Sequence, residues 1–234
     1  PRVRRQRQMC IRDRYIDLLY SHRVLGIVVC SHIGETMEHL DSNCPLISFE
    51  REIAENIPAV LCDNYQGGIL AANRLFDAGC RNIAIFNQPT KENIPAYSRE
   101  KAFMKCCENK KISGRVVYTD RLAPLSEEFG NNILELLKKN SDLDGIFATS
   151  DVMAANIIRA CKKMGKRVPE DISIVGFDDT WISTLTYPSI TTIHQPVQEM
   201  CEYAIEAIVK KVKSEKVPSQ VVFPVELIDR ESTK

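Results

Sequence analysis

Several chemistries are missing from this 234-residue chain before any fold is considered. Neither charge is in excess, since 31 Lys and Arg face 31 Asp and Glu. A protein that grips nucleic acid over its whole surface would be basic, so the chain is not read as one. No apolar run approaches the roughly 20 residues of a membrane helix. The opening stretch "PRVRRQRQMCIRDR" is basic but has no apolar segment behind it, so it is no secretory signal. Histidines are few, at 22, 32, 39 and 194, and have no metal spacing. No C-x-x-C occurs among the nine cysteines. Zinc needs clustered ligands, so neither a metal nor another cofactor is expected. No glycine-rich phosphate loop follows a strand, because Gly67–Gly68 lies inside a helical pattern. No nucleophile stands with a base, and an enzyme is not expected.

The odd cysteine count and scattered spacing read as free thiols packed as small hydrophobes in a reducing cytosol. Cys30 and Cys62 fall within apolar, strand-like runs.

What the chain does contain is alternation. Short runs rich in Val and Ile ("VLGIVVC" 24–30, "PLISF" 45–49, "AVLCD" 59–63, "NIAIFN" 82–87, "GRVVYT" 114–119, "DGIFATS" 144–150, "ISIVGFD" 172–178, "ITTI" 190–193 and "VVFPVELI" 221–228) read as strands. Several lack polar alternation, which suits parallel strands buried on both faces. Between them lie amphipathic helical patterns over 65–79, 98–111, 126–140, 150–165 and 197–216. Strand and helix alternating throughout predict an α/β protein with parallel sheets.

Open α/β sheets bind ligands beyond the carboxyl ends of their strands. Glu50, Asp63, Asn64, Asn87, Gln88, Asp120, Ser150, Asp151, Asp178 and Asp179 stand there. Carboxylates, amides and a hydroxyl, with Arg99 and Trp181 nearby, can donate to and accept from a polyhydroxylated molecule. Adjacent carboxylates at a strand end are costly to bury and make sense where the strand opens into a polar cleft.

Four stretches carry a family resemblance. "AVLCDNYQGGILAANRLFDAGCRNIAIF", "SREKAF", "IFATSDVMAANIIRACKKMGKRVPEDISIVGFDD" and "VPEDISIVGFDDTWISTLTYPSITTIHQPVQEM" resemble, in order, the motifs of the lactose/galactose-repressor family of bacterial transcription regulators. The resemblance runs over residues 15–234. It implies a periplasmic-binding-protein-like fold of type I: two Rossmann-like lobes with parallel sheets and three inter-lobe crossings. The crossings fall near Cys62–Asp63, His194–Gln195 and Phe223–Val225. One lobe takes 15–62 plus 196–223 and is incomplete, lacking the family's first strand, first helix and second strand. The other takes 63–195 plus 224–234. Residues 1–14 form a non-family tail, for which the readings are a DNA-binding arm, a solvated tail or, preferred, translated adapter sequence.

The resemblance also implies a function. The inter-lobe cleft binds a small, sugar-like effector, the domain is a homodimer, and a helix-turn-helix domain absent from this chain reads operator DNA. The protein is then cytoplasmic, with no membrane partner. The runner-up is a solute-binding protein of a sugar transporter.

By the same resemblance, Arg99 forks onto effector hydroxyls or a carboxylate. Asp178 is the acidic effector contact, and Asp179 the cap of the following helix. Ser150 stands where many members have Asn. Asp63 lies at a crossing and holds the hinge or touches ligand. Glu50 follows a strand whose acidic residues contact sugar in some members. Trp181 either stacks on a sugar face or is buried in the hinge loop. Arg121 replaces an aromatic at "YTDRL", which points to an anionic effector. His194 is a hinge residue.

Overall fold

The computed structural model describes residues 14–15, 17–30, 44–89, 94 and 96–234. The basic tail up to residue 13, His32 and His39 lie outside the described residues.

Every Val- and Ile-rich run becomes a strand. In chain order these are β1 (Ile27–Val29), β2 (Leu46–Phe49), β3 (Ala59–Cys62), β4 (Asn82–Asn87), β5 (Ser113–Tyr118), β6 (Gly145–Ala148), β7 (Ser173–Asp178), β8 (Thr191–His194), β9 (Gln220–Phe223) and β10 (Glu226–Ile228). The amphipathic stretches become α1 (Asn64–Asp77), α2 (Tyr97–Lys110), α3 (Glu127–Lys139), α4 (Asp151–Lys163) and α6 (Val197–Val212). The one-turn helix α5 (Ile182–Leu185) is too short to leave a periodic signal.

Two α/β units result. One runs to Leu61 and resumes over Val197–Phe223; the other is Cys62–Pro196 with Pro224–Lys234. The chain therefore passes between units three times. The first unit holds a sheet of order β1-β2-β3-β9, in which β1, β2 and β3 run parallel. Helix α6 packs on β1 and β2. The second unit holds a six-stranded sheet, β10-β8-β7-β6-β4-β5. All its neighbours are parallel except β10, which is antiparallel to β8.

The run "VVFPVELI", read as one strand, is two strands in two different sheets. Pro224 lacks the N–H that a central ladder needs, and the chain changes units there.

In the second unit both sheet faces are covered, which is why its strands lack alternation. Consecutive residues of β6 point to opposite sides: Ile146 joins Phe129, Ile133 and Ile157 of α3 and α4, while Phe147 meets Phe103 of α2 and Phe177 of β7. The rings lie 5.8 and 6.4 Å apart, within the range of favourable aromatic pairs.

At Gly67 and Gly68, α1 packs closely against its neighbours. A Cβ on Gly67 would lie 2.6 Å from the Phe177 ring, and one on Gly68 would strike the carbonyl oxygen of Arg99. Gly68→Ala should therefore push α2 outward. Overpacking of this kind costs about 1–3 kcal/mol, and a lowered midpoint in urea with an unchanged slope would register it.

Cys62, Cys80, Cys107 and Cys161 are buried as small hydrophobes, but Cys30 is exposed at the end of β1, where packing was expected. Burial pushes the Cys161 thiol up to about 11 and is the leading cause that takes Cys107 to about 12, so both stay protonated and inert. Among the described residues no helix is long and apolar enough to cross a membrane.

Candidate functional site

The second unit gathers polar side chains at the carboxyl ends of β4, β6 and β7, where α1, α2 and α4 begin. Asp63 stands before α1 and accepts a bond from the Gln66 amide at 2.8 Å. Ser150 does the same for α4, accepting from the Met153 amide at 3.2 Å. Both oxygens thus serve helix termini, which otherwise leave amides unpaired. The Ser150 hydroxyl still has its proton to donate.

Arg99, in the first turn of α2, is buried at 6% exposure. Its Nε donates to Asn64 Oδ1 at 2.6 Å and its Nη1 to the Thr149 carbonyl at 2.9 Å. The guanidinium carbon sits 3.4 Å above the centroid of the Phe177 ring. Two hydrogen bonds and a cation–π contact hold the planar group in one orientation. From Thr149 the network continues. Its Oγ1 donates to Asn87 Oδ1 at 3.2 Å, and Asn87 Nδ2 donates to Glu100 Oε2 at 3.0 Å. The Tyr118 hydroxyl then donates to Glu100 Oε1 at 2.7 Å. That bond, with some burial and the nearby charge of Glu100, raises the Tyr118 phenol to about 12.

A second cluster follows β7. Asp178 and Asp179 both have left-handed backbone conformations, with φ of +101° and +55°. Non-glycine residues rarely adopt such angles, and they persist only where the surroundings enforce them. The surroundings here are specific. Asp178 Oδ1 accepts from Gln195 Nε2 at 3.2 Å. Asp179 pairs with Arg230 Nη2 at 2.6 Å and His194 Nδ1 at 2.9 Å, and accepts from Ser183 Oγ at 3.2 Å. Partial burial works against ionisation of Asp179, but the bonds from Arg230 and His194 outweigh it and hold the carboxyl below its usual range. The buried Asp151 accepts from the Thr180 amide and from Thr192 Oγ1, both at 2.6 Å, and so ties the turn to α4 and β8. Its own carboxyl is raised, chiefly by burial. Gly176 leaves the room for it, since a Cβ there would lie 2.5 Å from Asp151 Oδ1.

Two expectations change. Asp179 was expected to cap α5; instead it is the acidic centre of an ion-pair cluster, and the capping position of α5, Trp181, makes no side-chain cap bond. Burial of Trp181 in the hinge loop, one of its two readings, is excluded by its 71% exposure. Arg121 is exposed and donates to the Pro89 carbonyl at 3.0 Å. Glu50 belongs to the first unit, whereas the other five singled-out residues belong to the second; it follows β2, with φ of +53°. Glu100, Tyr118, Thr149 and Arg230 were not singled out, and Gln195 was named only as part of a crossing. Only the position of Glu100 beside Arg99 hinted at it, and an acidic residue in a helix's first turn is ordinarily solvated. Among the described residues no group of three or more His, Cys, Asp or Glu could hold a metal ion.

A mostly parallel open sheet covered by helices, in a chain that passes three times between two α/β units, is the architecture of an α/β protein of the periplasmic-binding-protein type. The sequence model of the periplasmic binding protein-like domain matches residues 72–233. The ribose operon repressor of Halalkalibacterium halodurans is 31% identical over 222 residues, or 94% of this chain and 66% of that protein. A periplasmic binding protein/LacI transcriptional regulator from Alkaliphilus metalliredigens QYMF, solved as a complex with D-xylulofuranose, is 31% identical with a TM-score of 0.81, covering 95% of this chain and 83% of that one. A LacI family transcriptional regulator from Enterococcus faecium, with bound ribose, is 25% identical with a TM-score of 0.81, covering 94% and 83%. The chain belongs to the lactose/galactose-repressor (LacI/GalR) family, as its periplasmic-binding-protein-like effector-binding domain. It spans 66% of the length of the ribose operon repressor of Halalkalibacterium halodurans and of the sucrose operon repressor of Streptococcus mutans.

Proposed function

We propose that this domain senses a sugar or sugar derivative for a transcription regulator, and that Arg99 and Asp178 are its principal polar contacts. The observation that carries the reading is the orientation of Arg99. A buried guanidinium fixed by Asn64, Thr149 and Phe177 at a strand-end rim is pre-organised to donate to a ligand. Asp178, the last residue of the packed strand β7 and strained in its backbone, supplies the complementary acceptor. Several relatives are repressors of ribose or sucrose operons, and solved relatives hold ribose or D-xylulofuranose. The regulator works in the cytoplasm as a homodimer, with operator DNA bound by a domain outside this chain. Effector binding selects one conformation and thereby alters operator affinity.

The test uses the full-length protein and a panel of D-ribose, D-xylulose, sucrose and cellobiose. A true effector raises the melting temperature by mass action and changes operator mobility in a gel-shift assay. Asp178→Asn keeps the side-chain shape and removes the charge. It should weaken binding by roughly 1–3 kcal/mol in calorimetry. No response to any sugar, or an unaltered affinity in Asp178→Asn, would count against the reading.

A further inference from the structure

We propose that Cys30 and Cys201 form a modification site: a thiol pair that a hydroperoxide converts reversibly into a disulfide. The inference goes beyond effector sensing and does not depend on it. Both residues lie in the first unit, and they are the two exposed cysteines among the described residues. The fold carries them to the same place. The Ala59 amide donates to the Ser219 carbonyl at 2.9 Å, so β3 and β9 start at the same end of the sheet. The C-terminal end of α6 leads through a short loop into that end. Since β1 and β3 run the same way, α6 runs opposite to β1. One contact fixes the register: a Cβ on Gly26 would lie 2.6 Å from Cγ2 of Ile208. Cys201 lies about two turns before Ile208, ~10 Å back along the helix. Cys30 lies ~13 Å beyond Gly26 along the strand. Both positions therefore fall at the carboxyl end of β1.

They also share a face. Ile27 and Val29 turn away from α6, into a cluster with Leu46 and Ile57. Gly26, Val28 and Cys30 alternate onto the α6 side. Cys201, two turns from Ile208, stands on the same side of the helix as that residue. Burial first, and then the charge of Cys201, raise the Cys30 thiol above its ordinary value, and a remote thiol would have no such effect. Cys30 thus holds less thiolate, so Cys201 is the attacking sulfur. Its thiolate attacks an oxygen of the hydroperoxide. The S–O bond forms, the O–O bond breaks, and the leaving oxygen takes up a proton as an alcohol or as water. Cys30, on losing its proton, attacks the sulfur of the resulting sulfenic acid. The S–S bond forms, the S–O bond breaks, and hydroxide leaves with that proton as water. Two thiols give up two electrons and two protons, and the peroxide takes both. A small thiol reverses the step by exchange, so in reducing surroundings the pair rests as thiols. The bond ties β1 to the first turns of α6, where the chain has just re-entered the first unit. Cys62, Cys80, Cys107 and Cys161 are buried away from such an oxidant.

The experiment treats the reduced full-length protein with equimolar hydrogen peroxide, blocks the remaining thiols with iodoacetamide, and maps the peptides by mass spectrometry without a reductant. In wild type the peptides holding Cys30 and Cys201 should appear joined, at their summed mass less two hydrogens, and should separate on adding dithiothreitol. Cys30→Ser and Cys201→Ser should each lose the joined species. Both side chains are exposed, so the two variants should melt as the wild type does. In Cys30→Ser the sulfenic acid on Cys201 has no partner and should be trapped by dimedone; an unlabelled Cys201 would remove it as the attacking thiol. The site is overturned if peroxide-treated wild type carries Cys30 and Cys201 as separately alkylated thiols, or joins either of them to a different cysteine. A link that appears only as a dimer on a non-reducing gel would overturn it too, since the bond would then join two molecules. None of these outcomes bears on sugar binding, which the calorimetry above decides separately.

Discussion

Arg99→Ala is expected to lower effector affinity at least about tenfold, because each charged hydrogen bond to the ligand contributes roughly 1.5–3 kcal/mol. The same change should also destabilise the second unit. Arg99 is not a surface side chain reaching into a site. It is the donor for Asn64 Oδ1 and the Thr149 carbonyl and the cation over Phe177. Truncation leaves those acceptors short of a donor and opens a space beside the ring, with a cost of about 2 kcal/mol or more. Arg99→Lys separates the two effects. It keeps the positive charge and much of the volume but not the planar fork, so stability should recover more than affinity does. Denaturant titration and calorimetry on the two variants measure the split. Wild-type affinity in Arg99→Lys would remove the fork from the binding argument.

The second large effect concerns Asp179. Its carboxylate is the shared acceptor for Arg230, His194 and Ser183, and the Arg230 and Asp179 side chains are only 18% and 17% exposed. Removing one partner of such a pair strands the other charge away from water, and Asp179→Ala should cost about 3 kcal/mol of stability. Asp178→Asn, which leaves that cluster intact, should unfold at nearly the wild-type denaturant midpoint. The pair also sets a pH dependence. The folded carboxyl is held below the unfolded value, which lies near ~4. Its contribution is then complete above that value and is lost as pH falls through the lower folded one. Stability followed from neutral to acid pH should drop less steeply in Asp179→Ala than in wild type. Equal slopes would place the acid sensitivity elsewhere.

Much of the architecture could be read from patterning alone. Unbroken apolar runs such as "GIFA" and "SIVGFD" imply strands covered on both faces, and amphipathic stretches between them imply the covering helices. This is local information, since burial on both faces requires apolar residues at consecutive positions whatever the partners are. Strand ends follow too, so the rim residues Asn64, Asn87, Ser150, Asp151, Asp178 and Asp179 could be named in advance. The boundary at Pro224 was legible only as a crossing, because the residues on its two sides form equally good strands and their separation into two sheets depends on partners far away in the chain.

What the linear pattern left open was the division of labour at the rim. Asp178 and Asp179 are identical neighbours in sequence. Only the arrival of Arg230 from the C-terminal segment, 51 positions on, and of His194 from β8 makes one of them structural. Glu100 and Arg99 are likewise adjacent charges in one helical turn, and nothing local says that both are buried. Their roles are set by Asn64, Asn87 and Tyr118, from three other elements, and by Thr149, just beyond β6. A buried charge persists only where partners meet it. The residue types and their periodicity thus determine which segments make the sheets and which positions reach the rim. The tertiary structure alone decides which of those polar groups are consumed in holding the fold and which remain oriented for a ligand, because that depends on hydrogen-bond partners brought together from distant parts of the chain.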